Sequence, residues 1–329
     1  MGRVLMSSTS SRISAGLVRV IGSDARLFSP RYWPSWLAVG LFRGLGLLPY
    51  PIIWALGTGV GYLGYWLAGS RRRVGLRNLE ICFGDLTPRE RRRLLRRHFG
   101  YLGEAAFGQG LIWGASRRRV QRLVRVVNRE RIDACIASGR PVIVLVPHFV
   151  GLELGGAGFT ALVHSGIYMY QRLRDPVIDA QILGARTRFG SLSVERQGDL
   201  RGLVRQIKAG TPFFYLPDQN VGLRDGVFVP FCGVAASTVP MLSRFARLTG
   251  ALVIPTYARY LPWGRGLELI FDPPLEPFPS ADSVADTAYM NQVIEARVRT
   301  MPEQYFWVHR RFKTRPKGEP PIYADQARR

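Results

Sequence analysis

Cysteine is scarce in this chain. Cys82, Cys135 and Cys232 stand far apart and are odd in number, so neither a disulfide framework nor a zinc spacing is expected. The four histidines, His98, His148, His164 and His309, form no metal-ligating pattern. Lysine occurs only at 208, 313 and 317, and acidic residues number 23 against 46 basic ones, for a formal charge of +23. That imbalance points to an anionic partner: membrane headgroups, a phosphorylated substrate, an acidic protein or nucleic acid. No helix-turn-helix, finger or RNP motif is present, so a nucleic-acid module is not expected. The G-x-S-x-G elbow of serine hydrolases is missing, and no cysteine sits in a nucleophile motif. Near the start, no small-residue cleavage site follows a short apolar core, which argues against a cleavable signal.

Charge is also missing, for 26 residues, from Gly44 to Gly69. That length can span a bilayer. Trp54, Tyr62, Tyr65 and Trp66 suit interfacial positions, and Arg71, Arg72 and Arg73 follow, as on a cytoplasmic side. The expected division is a poorly ordered Ser- and Arg-rich segment at 1–30, a membrane anchor at 31–73 and a cytoplasmic domain at 74–329. A buried core helix, or a re-entrant or interfacial one, is the alternative to a spanning anchor. Gly59 to Gly64 spells G-x-G-x-x-G, but no strand precedes it, so no dinucleotide site is read there. The small residues at 57 and 61 suit close helix packing instead. Residues 71–137 read as helical, with Thr87, Pro88 and Glu90 opening a helix. Its basic continuation at 91–99 suits either an anionic membrane surface or a solvated face.

Beyond it, Val142 to Val146 is an unbroken apolar run rich in β-branched residues, the pattern of a strand buried on both faces. Pro147 ends it, His148 follows at once, and Glu153 comes after four intervening residues. A carboxylate in the first turn of the next helix can hold one imidazole nitrogen and leave the other free as a general base. A strand-end histidine and a solvated glutamate are the bland reading of the same spacing. Strands are expected at 166–170, 212–216 and 252–257, and helices at 175–189, 200–209, 238–248 and 282–301. Their alternation argues for an α/β sheet. Near the end, Arg310, Arg311, Lys313 and Arg315 place four cations within six residues, just after the aromatic Tyr305-Phe306-Trp307.

The block PVIVLVPHFVGLELGG at 141–156 resembles the active-site block of the lipid A late acyltransferases, the lauroyl and myristoyl transferases of Gram-negative bacteria. It also resembles the wider H-x4-D/E superfamily that acylates glycerol phosphates. The similarity to the narrower family continues at 170–190, 213–222, 227–255 and 301–323. The resemblance implies an α/β fold: a glycerol-phosphate-acyltransferase-like mixed sheet flanked by helices, with an N-terminal membrane-anchoring helix. It implies transfer of a fatty acyl chain from acyl carrier protein to a hydroxyacyl chain of a lipid A precursor, without cofactor or metal. His148 and Glu153 would act together as the general base, with Arg186 and Asp218 as further catalytic residues. Arg172, Arg174 and Arg188, with Arg310, Arg311, Lys313 and Arg315, would bind substrate. The family's Y-R-P-x-x-N-P element is altered here to Tyr170-Gln171-Arg172-Leu173-Arg174-Asp175-Pro176, which puts acceptor recognition in question. The implied partners are acyl carrier protein, a lipid A precursor and anionic membrane lipids. The implied location is the bacterial inner membrane, with the catalytic domain facing the cytoplasm. Acylation of a lysophospholipid or glycolipid, or a non-catalytic basic membrane-binding role, are the alternatives.

Overall fold

A computed structural model describes residues 25–195 and 198–323. The segment expected to be poorly ordered, 1–30, lies outside these residues as far as residue 24. The apolar run at 142–146 supplies the middle of the main sheet. Val142–Leu145 (β2) is buried at every position, as a strand covered on both faces must be. It pairs in parallel with Phe213–Tyr215 (β5) on one side and Leu252–Tyr260 (β8) on the other. With Val124–Val127 (β1), Ile167–Tyr170 (β3), Leu192–Glu195 (β4) and Leu267–Phe271 (β9), the sheet has seven strands in the order β1-β9-β8-β2-β5-β3-β4. Only β8 and β9 run antiparallel, so the sheet is mixed, as expected. Its two faces carry separate apolar clusters, one around Phe213, Tyr257 and Trp307, the other around Val144, Phe159 and Phe271.

The helices Leu152–Leu162, Pro176–Thr187, Leu200–Lys208 and Ser283–Thr300 lie within a residue or two of their expected bounds where these were given. The strands β1, β4 and β9 were not expected. Val124–Val127 is four residues long and follows directly on the helix Arg117–Leu123, so helical patterning hid it. The helix expected from Thr238 begins at Met241, because Val234–Thr238 (β7) is paired with Val227–Phe231 (β6) in a hairpin. Cys232 and Gly233 turn that hairpin with φ of 51° and 73°, the left-handed pair that a two-residue turn requires.

The N-terminal half departs most from expectation. The uncharged run holds the last two residues of one helix, Trp33–Leu45 (α1), then a turn ending in Pro49, then a second helix, Tyr50–Leu67 (α2). Among the described residues no helix is long and apolar enough to cross a membrane. After Gly69–Cys82 (α3) comes the long helix Pro88–Gly114 (α4), opened by the expected Thr87–Glu90 capping box. Glycines let α2 lie directly on α4. A Cβ on Gly61 would sit 2.1 Å from the Phe99 carbonyl oxygen, and one on Gly103 would sit 2.0 Å from that of Gly57. The small residues at 57 and 61 therefore do serve close packing, and α2 belongs to the folded unit. Its outer side leaves Ile52, Leu56, Val60, Leu63 and Leu67 exposed.

Cys82 and Cys232 form a disulfide, with Cα atoms 4.9 Å apart and 150 residues of sequence between them. This overturns the expectation of no disulfide. Spacing cannot reveal a pair that only the fold brings together, here the end of α3 and the turn of the β6–β7 hairpin. Cys135 is buried and free.

Candidate functional site

Open parallel sheets leave a crevice beyond the carboxyl ends of their strands, and His148 and Asp218 follow directly on two such strands. Leu145 of β2 is in register with Tyr215 of β5. Three residues further along each strand come His148 and Asp218. Parallel register thus carries both side chains to one place, 70 residues apart in sequence. Asp218 accepts from the His148 backbone N–H at 2.9 Å and from Nδ1 at 2.6 Å. A carboxylate can only accept, so Nδ1 bears the proton and Nε2 is left as a free base. Burial alone would raise the Asp218 carboxyl. Its bonds to the His148 ring and amide, with the Arg311 charge, outweigh burial and hold it below the usual carboxylate range.

This corrects the expected His148–Glu153 pairing. Glu153 sits in the first turn of the helix Leu152–Leu162, as expected, but faces a different partner. Arg186, in the last turn of the helix Pro176–Thr187, grips it with two bonds, Nε to Oε2 at 3.2 Å and Nη2 to Oε1. Burial works against the guanidinium charge, and Glu153 reverses that effect, so the Arg186 pKa is raised. Asp218 holds the imidazole.

Glu153 and Arg186 stand in the wall of an open cleft. The rest of that wall is chiefly apolar, including Val146, Leu152, Phe159, Phe214 and Leu269. Tyr168 stacks on Phe214 within it and bonds its hydroxyl to the Gly156 carbonyl. His148 and Asp218 line a second, smaller cleft with Phe231, Phe306, His309 and Arg311.

The expected substrate-binding cations divide into three groups. Arg172 pairs with Glu195 in the open, and Arg174 is exposed without a side-chain partner among the described residues. Arg188 stacks on Phe189 at 4.4 Å, and burial lowers its pKa to about 10. In the terminal segment, Arg311 is only 3% exposed, and its guanidinium bonds Ser237 O and Thr238 Oγ1 of β7. Arg315 likewise bonds Ala235 O and pairs with Glu319. These two, expected to bind substrate, brace the hairpin: a packed segment needs donors for the backbone carbonyls it buries. Arg310 and Lys313 keep side chains free of hydrogen bonds and ion pairs among the described residues.

Two residues at this crevice, Asn78 and Asn220, were given no role by the sequence reading. Asn78 of α3 donates to the carbonyls of Trp307 and His309 at 2.7 and 2.8 Å. Asn220 bonds Thr314 through both its amide nitrogen and its oxygen, at 3.0 and 2.9 Å. The Asn220 backbone N–H donates to Nε2 of His309 at 3.0 Å. The segments 217–220 and 309–315 are therefore laced together beside His148. The signal available was that both were polar runs at the ends of apolar stretches; their contact was not legible.

The model of the bacterial lipid A biosynthesis acyltransferases matches residues 21–314 of this chain. The lipid A biosynthesis lauroyltransferase of Escherichia coli (strain K12) is 37% identical over 298 residues, covering 90% of this chain and 97% of that protein. The palmitoleoyltransferase of the same strain is 32% identical over 296 residues, covering 89% and 95%. The crystal structure of a 1-acyl-sn-glycerophosphate acyltransferase from Thermotoga maritima aligns with a TM-score of 0.38 at 18% identity, covering 70% of this chain and 97% of that one. By the family match and these identities over almost the whole length, the chain belongs to the bacterial lipid A biosynthesis acyltransferase family.

Proposed function

We propose that the protein transfers a fatty acyl group from the thioester of acyl carrier protein to a hydroxyl on a hydroxyacyl chain of a lipid A precursor. The observation that carries this reading is His148, fixed at Nδ1 by the buried Asp218 with Nε2 free at the cleft. A base so held can take the proton of an acceptor hydroxyl as that oxygen attacks the thioester carbonyl. Asp218 fixes the tautomer and stabilises the imidazolium that forms. No serine elbow or cysteine motif competes as nucleophile, so direct transfer needs no acyl-enzyme. The apolar cleft suits the hydrocarbon tail of the donor. Glu153 and Arg186 at its wall offer a charge to position either substrate, the cation toward phosphate or oxyanion. The exposed apolar sides of α1 and α2, on a chain of charge +23, suit interfacial attachment to an anionic membrane. With this attachment the protein works at the cytoplasmic face of the inner membrane. Purified protein, acyl carrier protein charged with a fatty acid and a micellar lipid A precursor should give a product heavier by one acyl group, read by mass spectrometry. Transfer to a lysophospholipid, with none to the lipid A precursor, would overturn the acceptor assignment.

A further inference from the structure

His309 opens the terminal basic segment, yet its ring is no part of a charge cluster. Nε2 accepts from the backbone N–H of Asn220 at 3.0 Å. A backbone amide can only donate, so Nε2 carries no hydrogen. Burial first, then the neighbouring His148 and Arg311, lower the His309 pKa to about 4. The ring is therefore neutral at ordinary pH, and its one proton sits on Nδ1. That N–H has no partner among the described residues, and the His309 side chain is half-buried. It belongs to the same cleft as His148.

The His309 backbone is also held in place from two sides. The His309 carbonyl is tied to Asn78, and its N–H donates to the Phe306 carbonyl at 3.3 Å. Phe306 in turn donates its own N–H to the His148 carbonyl at 3.0 Å. Two imidazoles of opposite hydrogen-bonding character thus stand at one cleft: His148 presents a bare nitrogen, His309 a fixed N–H.

We infer that His309 is a catalytic hydrogen-bond donor, whose Nδ1–H binds the oxyanion formed on the thioester carbonyl. The inference rests on the acyl-transfer reading. The acceptor oxygen forms a bond to the carbonyl carbon, and its proton passes to His148 Nε2. The carbonyl π pair moves onto oxygen, where the His309 N–H meets it. Collapse of that oxyanion re-forms the carbonyl and breaks the carbon–sulfur bond. The leaving thiolate takes the proton back from His148. A donor already in place, and neutral, needs no reorganisation as the charge develops.

Two substitutions separate this role from a merely structural one. H309Q places a carbonyl oxygen where Nε2 was, so it can still receive the Asn220 N–H, but it removes the Nδ1 donor. H309N places an amide N–H near the Nδ1 position and gives up the Asn220 contact. Single-turnover transfer is measured at saturating charged acyl carrier protein. H309Q should lose about 10²–10³-fold in rate with KM for both substrates little changed, the loss of one oxyanion donor. H309N should keep most of the rate. The reverse order, or equal losses, overturns the proposal and leaves His309 as a loop fastener. Ring ¹⁵N shifts of wild-type protein in detergent need no variant to fold: Nδ1–H supports the proposal, and Nε2–H overturns it. An active wild type with unaffected H309Q sinks this inference alone. A wild type inert toward every lipid acceptor sinks the acyl-transfer reading with it.

Discussion

His148 was legible because its signal is local: a β-branched run, a proline and a histidine at the strand's end. Its partner was not, because the 145–215 register that places Asp218 beside it appears only when β2 and β5 pair. Glu153, five residues away, was the nearer choice in sequence and the wrong one in space. This changes what mutations should do. Asp218→Asn leaves the shape intact but replaces one of the two acceptor oxygens with an NH2 donor and removes the charge, so the His148 tautomer is no longer fixed and kcat should fall by about 10²–10⁴-fold. Adding His148→Ala should cost little more, because groups that act as one unit lose their effect together. Glu153→Gln should instead couple to Arg186→Gln, and single-turnover rates across the two double-mutant cycles check both statements. Strong coupling of Glu153 to His148, with none to Arg186, would restore the pairing that the spacing suggested.

Among elements, α4 shows how much sequence order can reveal. Its start was legible from the Thr87–Glu90 capping box, and its neighbour from the glycines of α2. What lies between the two helices was not. Glu104 of α4, fully buried, accepts from the Tyr50 hydroxyl at 2.8 Å, and burial pushes its pKa up to about 8 despite that bond. Its second oxygen has no hydrogen-bond partner among the described residues. The folded protein therefore keeps a proton on Glu104 that the unfolded chain, with an ordinary carboxyl near 4.5, gives up. Stability from this group is fully present below about pH 4.5 and is lost as the pH rises toward 8, at up to about 1.4 kcal/mol per pH unit. Glu104→Gln keeps the acceptor for Tyr50 and removes the titration. Melting temperatures between pH 5 and 9 should fall for the wild type and change less for the variant. Parallel curves would show that Glu104 ionises freely in the folded state.

At the scale of the whole molecule, the charge-free run at 44–69 led to the expectation of a membrane anchor, and its geometry was not legible. Hydropathy counts residues; it does not see that Ile53, Gly57, Gly61 and Tyr65 are buried within the fold. The apolar residues left over lie on the outside: Leu37 is 75% exposed, Leu47 80% and Trp66 65%. They alternate with the buried set at helical spacing, so α1 and α2 offer an apolar side while remaining part of the core. Deleting the segment would remove the packing of α2 on α4 and would not test attachment cleanly. A Leu56→Glu, Leu63→Glu double variant does, since both side chains are about half exposed and outside the core. It should melt as the wild type does, yet float far less with anionic vesicles in a density gradient. Salt should release only part of the wild type, because charge attraction is screened within about 10 Å at 0.1 M ionic strength while apolar burial is not. Complete release of the wild type by salt alone would mean that the arginines hold the protein to the membrane and that the exposed leucines of α2 do not.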